Sequence, residues 1–405
     1  MERGRREIVP GAPASTGTIG LAVPEIGDEE RRLVDDSLRT GWIAYGPYVD
    51  RLEEEIRELL DVRHAVAVGS GTASLHLALV VAGVEPDDEV LVSTLSFISP
   101  AFAIRYVGAW PVFFDAEPVH WQIDVDKLAT FLREECEPRN GALVNRRTGR
   151  RIGALLPVGI LGHMFDADPI RALAVEYGLP LIEDAAESLG SRYKDRPGGT
   201  VGDMSCLSFN GNKIITCGGG GMVVTNDAGL AERVRYLATQ AKDDPLEYVH
   251  GEIGFNYRLA NPLAAIGCAQ LRRLDEFVAR KRAIFEGYRA SLSDVPGLSF
   301  QREAEWAFST FWLTSIRVDA AEFGLSSREL MHRLLDAGIQ VRPFWQALHE
   351  SPSMRDSQAY RIEVAPTLVA ESLMLPCSVG LADADQARVI ETIRGLQPPE
   401  RHRRS

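Results

Sequence analysis

Ala65-Val66-Ala67-Val68-Gly69-Ser70-Gly71-Thr72-Ala73-Ser74 passes from four apolar residues through a glycine turn into a helical pattern. Residues 65–68 read as a strand without a polar face, and 74–81 as a helix. The unit recurs along the chain. Strands are expected at 89–92, 111–115, 154–158, 179–184, 204–209 and 221–225, with helices at 100–107 and 168–177. Seven strands that are apolar on both faces and interleaved with helices predict an α/β fold. Its core would be a mostly parallel seven-stranded sheet covered by helices on both sides.

The pattern changes outside this block. Residues 139–151 read as a surface insertion. From about residue 271 a charged helix at 272–288 leads to a strand at 311–316 and a helix at 327–337, the pattern of a smaller α+β domain. The expected division is a loose tail at 1–18, a large domain at 19–270 and a small domain at 271–405. A second frayed end is expected at 398–404. With 405 residues the chain can bury two sizeable cores.

A net charge of -13 argues against a nucleic-acid or anionic-membrane partner, which would call for a basic face. The charged N-terminus lacks the apolar core of a signal peptide, and no apolar run reaches membrane-spanning length. Cys136, Cys206, Cys217, Cys268 and Cys377 are scattered without a CxxC pair, which fits reduced thiols in the cytoplasm and calls for no metal.

The chemistry centres on Lys213, in Ser208-Phe209-Asn210-Gly211-Asn212-Lys213, with Gly218 to Gly221 just beyond. Only four other lysines occur, Lys127, Lys194, Lys242 and Lys281, and arginine carries the remaining positive charge. An arginine cannot attack a carbonyl at any accessible pH, whereas a lysine amine can. A lysine kept inside a polar, glycine-flanked loop therefore points to covalent amine chemistry, of which pyridoxal phosphate (PLP) is the most familiar partner. Asp184 ends a strand in Glu183-Asp184-Ala185-Ala186-Glu187. Ligands gather at the carboxyl ends of strands in such sheets, and a carboxylate there can hold a proton on a pyridine nitrogen. Asp184 alone would equally suit a helix cap. One strand and two turns separate it from Lys213, so both can reach one crevice.

Gly69-Ser70-Gly71-Thr72 is either a helix cap or a phosphate cradle, and the residues alone leave both open. A dinucleotide site is disfavoured, because Ser74 stands at the third glycine position of GxGxxG and the acid after the second strand is missing. Phe97 follows a strand end and can stack on a planar ring, Ser208 can add a hydroxyl to a phosphate, and the glycine run can let backbone approach a bulky ligand.

In this order, Ser70-Gly71-Thr72, Phe97, Glu183 to Glu187, Ser208 to Lys213 and Gly254-Phe255-Asn256-Tyr257-Arg258 resemble the nucleotide-sugar aminotransferases of the DegT/StrS type, over about residues 19–397. The resemblance implies PLP fold type I and a homodimer with shared active sites. Lys213 would carry PLP as a Schiff base and Asp184 would bind its ring nitrogen. Phe97 would stack on the ring, and Glu187 would lie near the phenolic oxygen. Gly71, Thr72 and Ser208 would hold the phosphate. Asn256 and Arg258 would reach across the dimer to the neighbour's cofactor and substrate; Tyr257 and His349 would also serve the substrate. Gly220, together with Thr40-Gly41-Trp42 and residues 240–245, resembles the branch acting on UDP-4-keto-6-deoxy-N-acetylhexosamines, with glutamate as the expected donor.

Gly159, the Ser96-Phe97-Ile98-Ser99 stretch and Tyr45 depart from the family pattern. They leave GDP- and dTDP-keto sugars as alternatives. A sugar 3-dehydratase would carry histidine in place of Lys213. A non-catalytic sugar-nucleotide or cofactor-binding regulator is the rival from another class.

Overall fold

The computed structural model describes residues 17–244 and 246–397. The expected tail at 1–18 lies outside them except for Gly17 and Thr18, and the end expected to fray at 398–404 lies wholly outside.

All seven expected strands form: β1 (His64–Val68), β2 (Glu89–Ser93), β3 (Trp110–Phe114), β4 (Ile152–Leu156), β5 (Ile182–Asp184), β6 (Met204–Ser208) and β7 (Gly221–Thr225). Two hydrogen-bonded ladders, β1-β7-β6-β5 and β3-β2-β4, are joined by single parallel bridges from Leu155 to Leu181 and from Val158 to Asp184. The resulting order is β1-β7-β6-β5-β4-β2-β3. Only β7 runs against its neighbours. β2, β4 and β7 are buried along their whole length, which explains why their sequences carry no polar alternation. The Gly71–Val81 helix packs against this sheet with Ala73 to Leu79 all buried, so it too lacks a polar stripe.

The C-terminal part builds an antiparallel sheet from β8 (Leu298–Phe300), β9 (Thr314–Val318), β10 (Arg342–Pro343) and, after β11 (Gln358–Tyr360), β12 (Ser372–Leu375), in the order β8-β9-β12-β10. The strand expected at 311–316 starts later, at Thr314, because Phe311 turns the chain with φ 48°. β11 leaves this lobe and extends the large sheet, parallel to β3. Gln-Ala-Tyr is too short to announce a strand. Asp115 anchors the excursion: buried at the end of β3, it accepts the N–H groups of Glu363, Val364 and Ala365 and pairs with Lys127 Nζ at 2.8 Å.

We propose the large–small division at residues 270/271, at the last turn of the helix Asn261–Leu271 and just ahead of Leu274–Leu292. Several segments cross it, among them β11, the strand pairing of Ala307–Phe308 with Arg192–Tyr193, and the N-terminal strap, whose Leu21 carbonyl accepts Cys377 N–H at 2.7 Å. The insertion at 139–151 is a hairpin, Cys136–Arg139 with Ala142–Asn145, turning at Asn140-Gly141. No helix among the described residues is long and apolar enough to cross a membrane.

Candidate active site

The parallel strands β5 and β6 end at one edge of the sheet, and the reversed strand β7 starts there. The loop 209–220 between β6 and β7 therefore stays at that edge, where ligands collect in open α/β sheets. Backbone hydrogen bonds fix the loop: Phe209 N–H to Gly220 O, Cys217 N–H to Phe209 O, and Lys213 N–H to Asn210 O at 3.0 Å.

Lys213 Nζ lies 3.3 Å from Glu187 Oε1 and 4.1 Å from the centre of the Trp312 ring. Glu187 is buried, and its other oxygen accepts Leu161 N–H at 2.8 Å. Burial pushes the Glu187 carboxyl up, and the Lys213 charge opposes that. Asp184 is 3% exposed and its carboxyl is pushed up to about 7, mainly by burial. The Ala186 N–H and the Lys213 charge act the other way, and the charges of Glu187 and Glu183 add to the rise. Among the described residues its side chain accepts one hydrogen bond, from Ala186 N–H to Oδ1, so Oδ2 is free for a ligand. Glu183, its neighbour in the motif, is structural. Fully buried, it takes the Gly199 and Val201 N–H groups and the Ser205 hydroxyl.

Ser70 is a cap. Its Oγ accepts Ala73 N–H at 3.0 Å, at the start of Gly71–Val81. The first-turn N–H groups have no partner within a helix, so the same helix start still presents donors and a positive dipole end. Thr72 Oγ1 bonds Ser99 Oγ at 3.2 Å, and Gly71 packs against Ser208. A Cβ on Gly71 would come within 2.7 Å of Ser208 Cβ. Gly71→Ala is expected to force these apart at a cost of about 1–3 kcal/mol. A cost of that size corresponds to roughly 5- to 150-fold in the Kd for pyridoxal phosphate, measured by absorbance titration of the ligand-free protein; an unchanged Kd would remove Gly71 from the expected cradle.

The second half of the glycine run, Gly220 and Gly221, serves the backbone, while a Cβ on Gly218 or Gly219 would meet nothing within 4 Å. A Cβ on Gly221 would meet the Ser70 carbonyl carbon at 2.5 Å, and Gly220 has φ +132°. Gly220 is thus required locally, because a side chain there would also crowd Leu259 at 3.0 Å. Gly159 has a comparable reason: a Cβ would lie 2.3 Å from Ser188 Oγ.

Phe97 is half exposed near this edge, edge-on to Trp345 at 6.2 Å. His349 is tied to the end of β2, its Nδ1 2.7 Å from Thr94 Oγ1. The segment holding Asn256, Tyr257 and Arg258 runs beside β1 and is not brought to Lys213 in the same chain. Asn256 is exposed. Tyr257 is turned inward, its hydroxyl 3.2 Å from His76 Nδ1 and its ring stacked on Phe255. Arg258 stacks on Tyr45 at 4.5 Å, while its buried Nε and Nη2 have no hydrogen-bond partner among the described residues.

Sequence reasoning missed Trp312, and it singled out Ser99 only within the stretch that departs from the family pattern. Trp312 arrives from almost a hundred positions downstream and carries no local sign. Ser99 had one: a hydroxyl residue just before Pro100 at a helix start. A buried carboxyl with a free oxygen, an amine held nearby, and a helix start lined by hydroxyls together fit PLP, an aldehyde with a basic ring nitrogen and a phosphate.

Known proteins give the same picture. The profile of the DegT/DnrJ/EryC1/StrS aminotransferase family matches residues 24–394. EpsN of Bacillus subtilis strain 168, which carries the provisional name of a pyridoxal phosphate-dependent aminotransferase, is 40% identical over 383 residues, covering 93% of this chain and 95% of EpsN. A GDP-perosamine synthase of Caulobacter vibrioides is 36% identical, over 93% of this chain and 97% of that protein. Among solved structures, DesI, crystallised in the presence of its TDP-sugar product, superposes with a TM-score of 0.83 at 29% identity, over 95% of this chain and 94% of DesI.

Proposed function

The chain belongs to the DegT/DnrJ/EryC1/StrS aminotransferase family and is a PLP-dependent aminotransferase acting on a nucleotide sugar, and from that premise we propose that it moves the amino group of L-glutamate to a UDP-4-keto-6-deoxy-N-acetylhexosamine. The observation that carries the chemistry is the convergence of Lys213, Asp184 and the Gly71–Ser208 cradle at one sheet edge. Membership as an aminotransferase sets aside the rival reading as a non-catalytic regulator.

Bound PLP supplies an aldehyde that takes up the amino group and a ring that withdraws electrons from the carbon losing its proton. The residues do the rest. The Thr72 and Ser208 hydroxyls and the N–H groups of the Gly71–Val81 helix hold the phosphate. Phe97, already exposed, offers its face to the ring. Asp184 Oδ2 holds a proton at the ring nitrogen, in a dry site where a charge-assisted bond is strong. Glu187 orients the Lys213 amine. Lys213 Nζ would hold and move the proton of the donor α-carbon, and would move it in the opposite sense for the sugar. His349, held on Thr94, lies at the same edge for the nucleotide.

The reading extends to a homodimer with shared sites. Exposed Asn256 suits a group supplied to a neighbour, and the buried Nε and Nη2 of Arg258 have no hydrogen-bond partner among the described residues. Trp42, Ile43, Leu246 and Tyr248 are large and exposed, as a surface awaiting a second copy would be. Tyr257 then acts by holding this segment on His76. Five buried free cysteines suit a cytoplasmic enzyme.

A second acceptor is favoured by one observation, the likeness to a GDP-perosamine synthase. Gly220 no longer separates the branches by itself, since its backbone demands glycine. Incubation with glutamate and a panel of UDP-, GDP- and dTDP-keto sugars, with products read by mass and NMR, decides. Amination of the UDP-N-acetyl sugar is expected. Acceptance of only a GDP or dTDP sugar would overturn the UDP assignment, and no amination of any member would overturn the reaction.

A further inference from the structure

Lys213 has a neighbour that the reaction above leaves unused. Trp312 is 2% exposed and lies just before β9 in the small lobe. Its ring lies 4.1 Å from Lys213 Nζ, and its Nε1–H donates to the carbonyl of Asn212 at 2.7 Å. Its own carbonyl accepts from Lys281 Nζ at 2.9 Å. Lys281 is buried in the helix Leu274–Leu292, and its remaining contact is Cys377 Sγ at 3.8 Å, with no carboxylate among the described residues. One side chain from the far lobe therefore fixes the backbone beside Lys213 and presents its π face to the amine.

We propose that Trp312 is a positioning residue that seats the Lys213 ammonium whenever Lys213 is detached from the cofactor. The proposal rests on reading Lys213 as the reactive amine. A π face attracts an ammonium without accepting a hydrogen bond along a fixed direction. A carboxylate on both sides would bind the N–H bonds tightly and hold the proton. With Glu187 on one side and the indole on the other, the amine is fixed in place while N–H bonds stay available for the reacting carbon. Because Trp312 comes from the small lobe, the seat exists only while the two lobes are packed together.

The test uses the holoenzyme turned over once with the amino donor alone, which frees Lys213. The rate of acetic-anhydride labelling of Lys213 is followed by peptide mass spectrometry at fixed pH. Trp312→Leu removes the π face and is expected to raise labelling by roughly 3- to 30-fold. Trp312→Phe keeps a face and is expected to stay within about threefold of wild type. Biosynthetic replacement of tryptophan by a polyfluorinated analogue drains the π face while keeping shape and the N–H, so it decides the question even if Trp312→Leu does not fold. Faster labelling, with a lower kcat and an unchanged KM for the sugar, is the expected result. A merely structural role would affect Leu and Phe variants alike and leave the fluorinated enzyme unchanged. Wild-type labelling in the fluorinated enzyme overturns the proposal. It leaves the assignment of Lys213 intact, which stands or falls with the Lys213→Ala enzyme.

Discussion

Lys213→Ala is expected to slow both half-reactions by at least roughly ten-thousandfold, the upper range for removal of a positioned proton carrier, with loss of the covalent attachment added to it. The fold should survive. Lys213 is a loop residue whose backbone bonds do not depend on its side chain, and among the described residues its one ion pair is with Glu187. Glu187 keeps the Leu161 N–H, and its carboxyl, already pushed up by burial, can take a proton once the lysine charge is gone. Single-turnover measurements with glutamate and with the sugar separate the halves, and borohydride should no longer fix cofactor to the protein. Turnover within tenfold of wild type would sink the assignment, because no other lysine in the described structure is placed at this edge with a carboxylate and a π face around it.

Asp184→Asn is expected to cost about a hundred- to thousandfold in kcat, the scale for removing one preorganised charge partner in a dry site. Asparagine keeps the shape and can still accept Ala186 N–H, so folding is not the cause. Without the negative charge, a proton on the ring nitrogen loses its partner, and the carbon losing its proton is less acidified. Wild-type rates would remove the electron-sink role. The variant also has a pH signature in the cofactor-free protein. The native carboxyl titrates at about 7, against an ordinary value of 3.8. A raised folded-state value means the folded protein holds the proton more tightly, so stability falls as pH rises from about 4 through about 7. The amide of the variant cannot titrate, so its denaturation midpoint should depend less on pH in that window. Burial also raises Glu183 and Glu187, which keep part of the slope. An identical pH profile in the variant would mean that Asp184 does not titrate there.

Much of the fold was legible because parallel strands buried on both faces must be apolar throughout. Residues 65–68, 90–92 and 154–158 stand out for that reason. β11 was not legible: three residues with one polar side chain at a sheet edge leave no period to read, and what fixes them is Asp115, more than two hundred positions away. Lys213 and Asp184 were legible through the rarity of one and the strand-end position of the other. Ser70 was ambiguous in sequence because a cap and a phosphate ligand use the same atom, and only the Ala73 N–H contact resolves it. The glycine run was read as room for a ligand; Gly221 makes room for the backbone of Ser70, and Gly218 and Gly219 face open space.

The sequence by itself determined the layered α/β architecture and the family, and it singled out Lys213 and Asp184 as the residues proposed for the chemistry. These rest on local features: hydrophobic period, residue chemistry and short motifs. Tertiary structure alone decided that β7 runs backward and keeps the lysine loop at the ligand edge, that Gly71 must touch Ser208, and that Trp312 lies against the Lys213 amine. Each of these is a contact between segments far apart in the chain. Packing sets such contacts, and no neighbouring residue in the sequence carries their imprint.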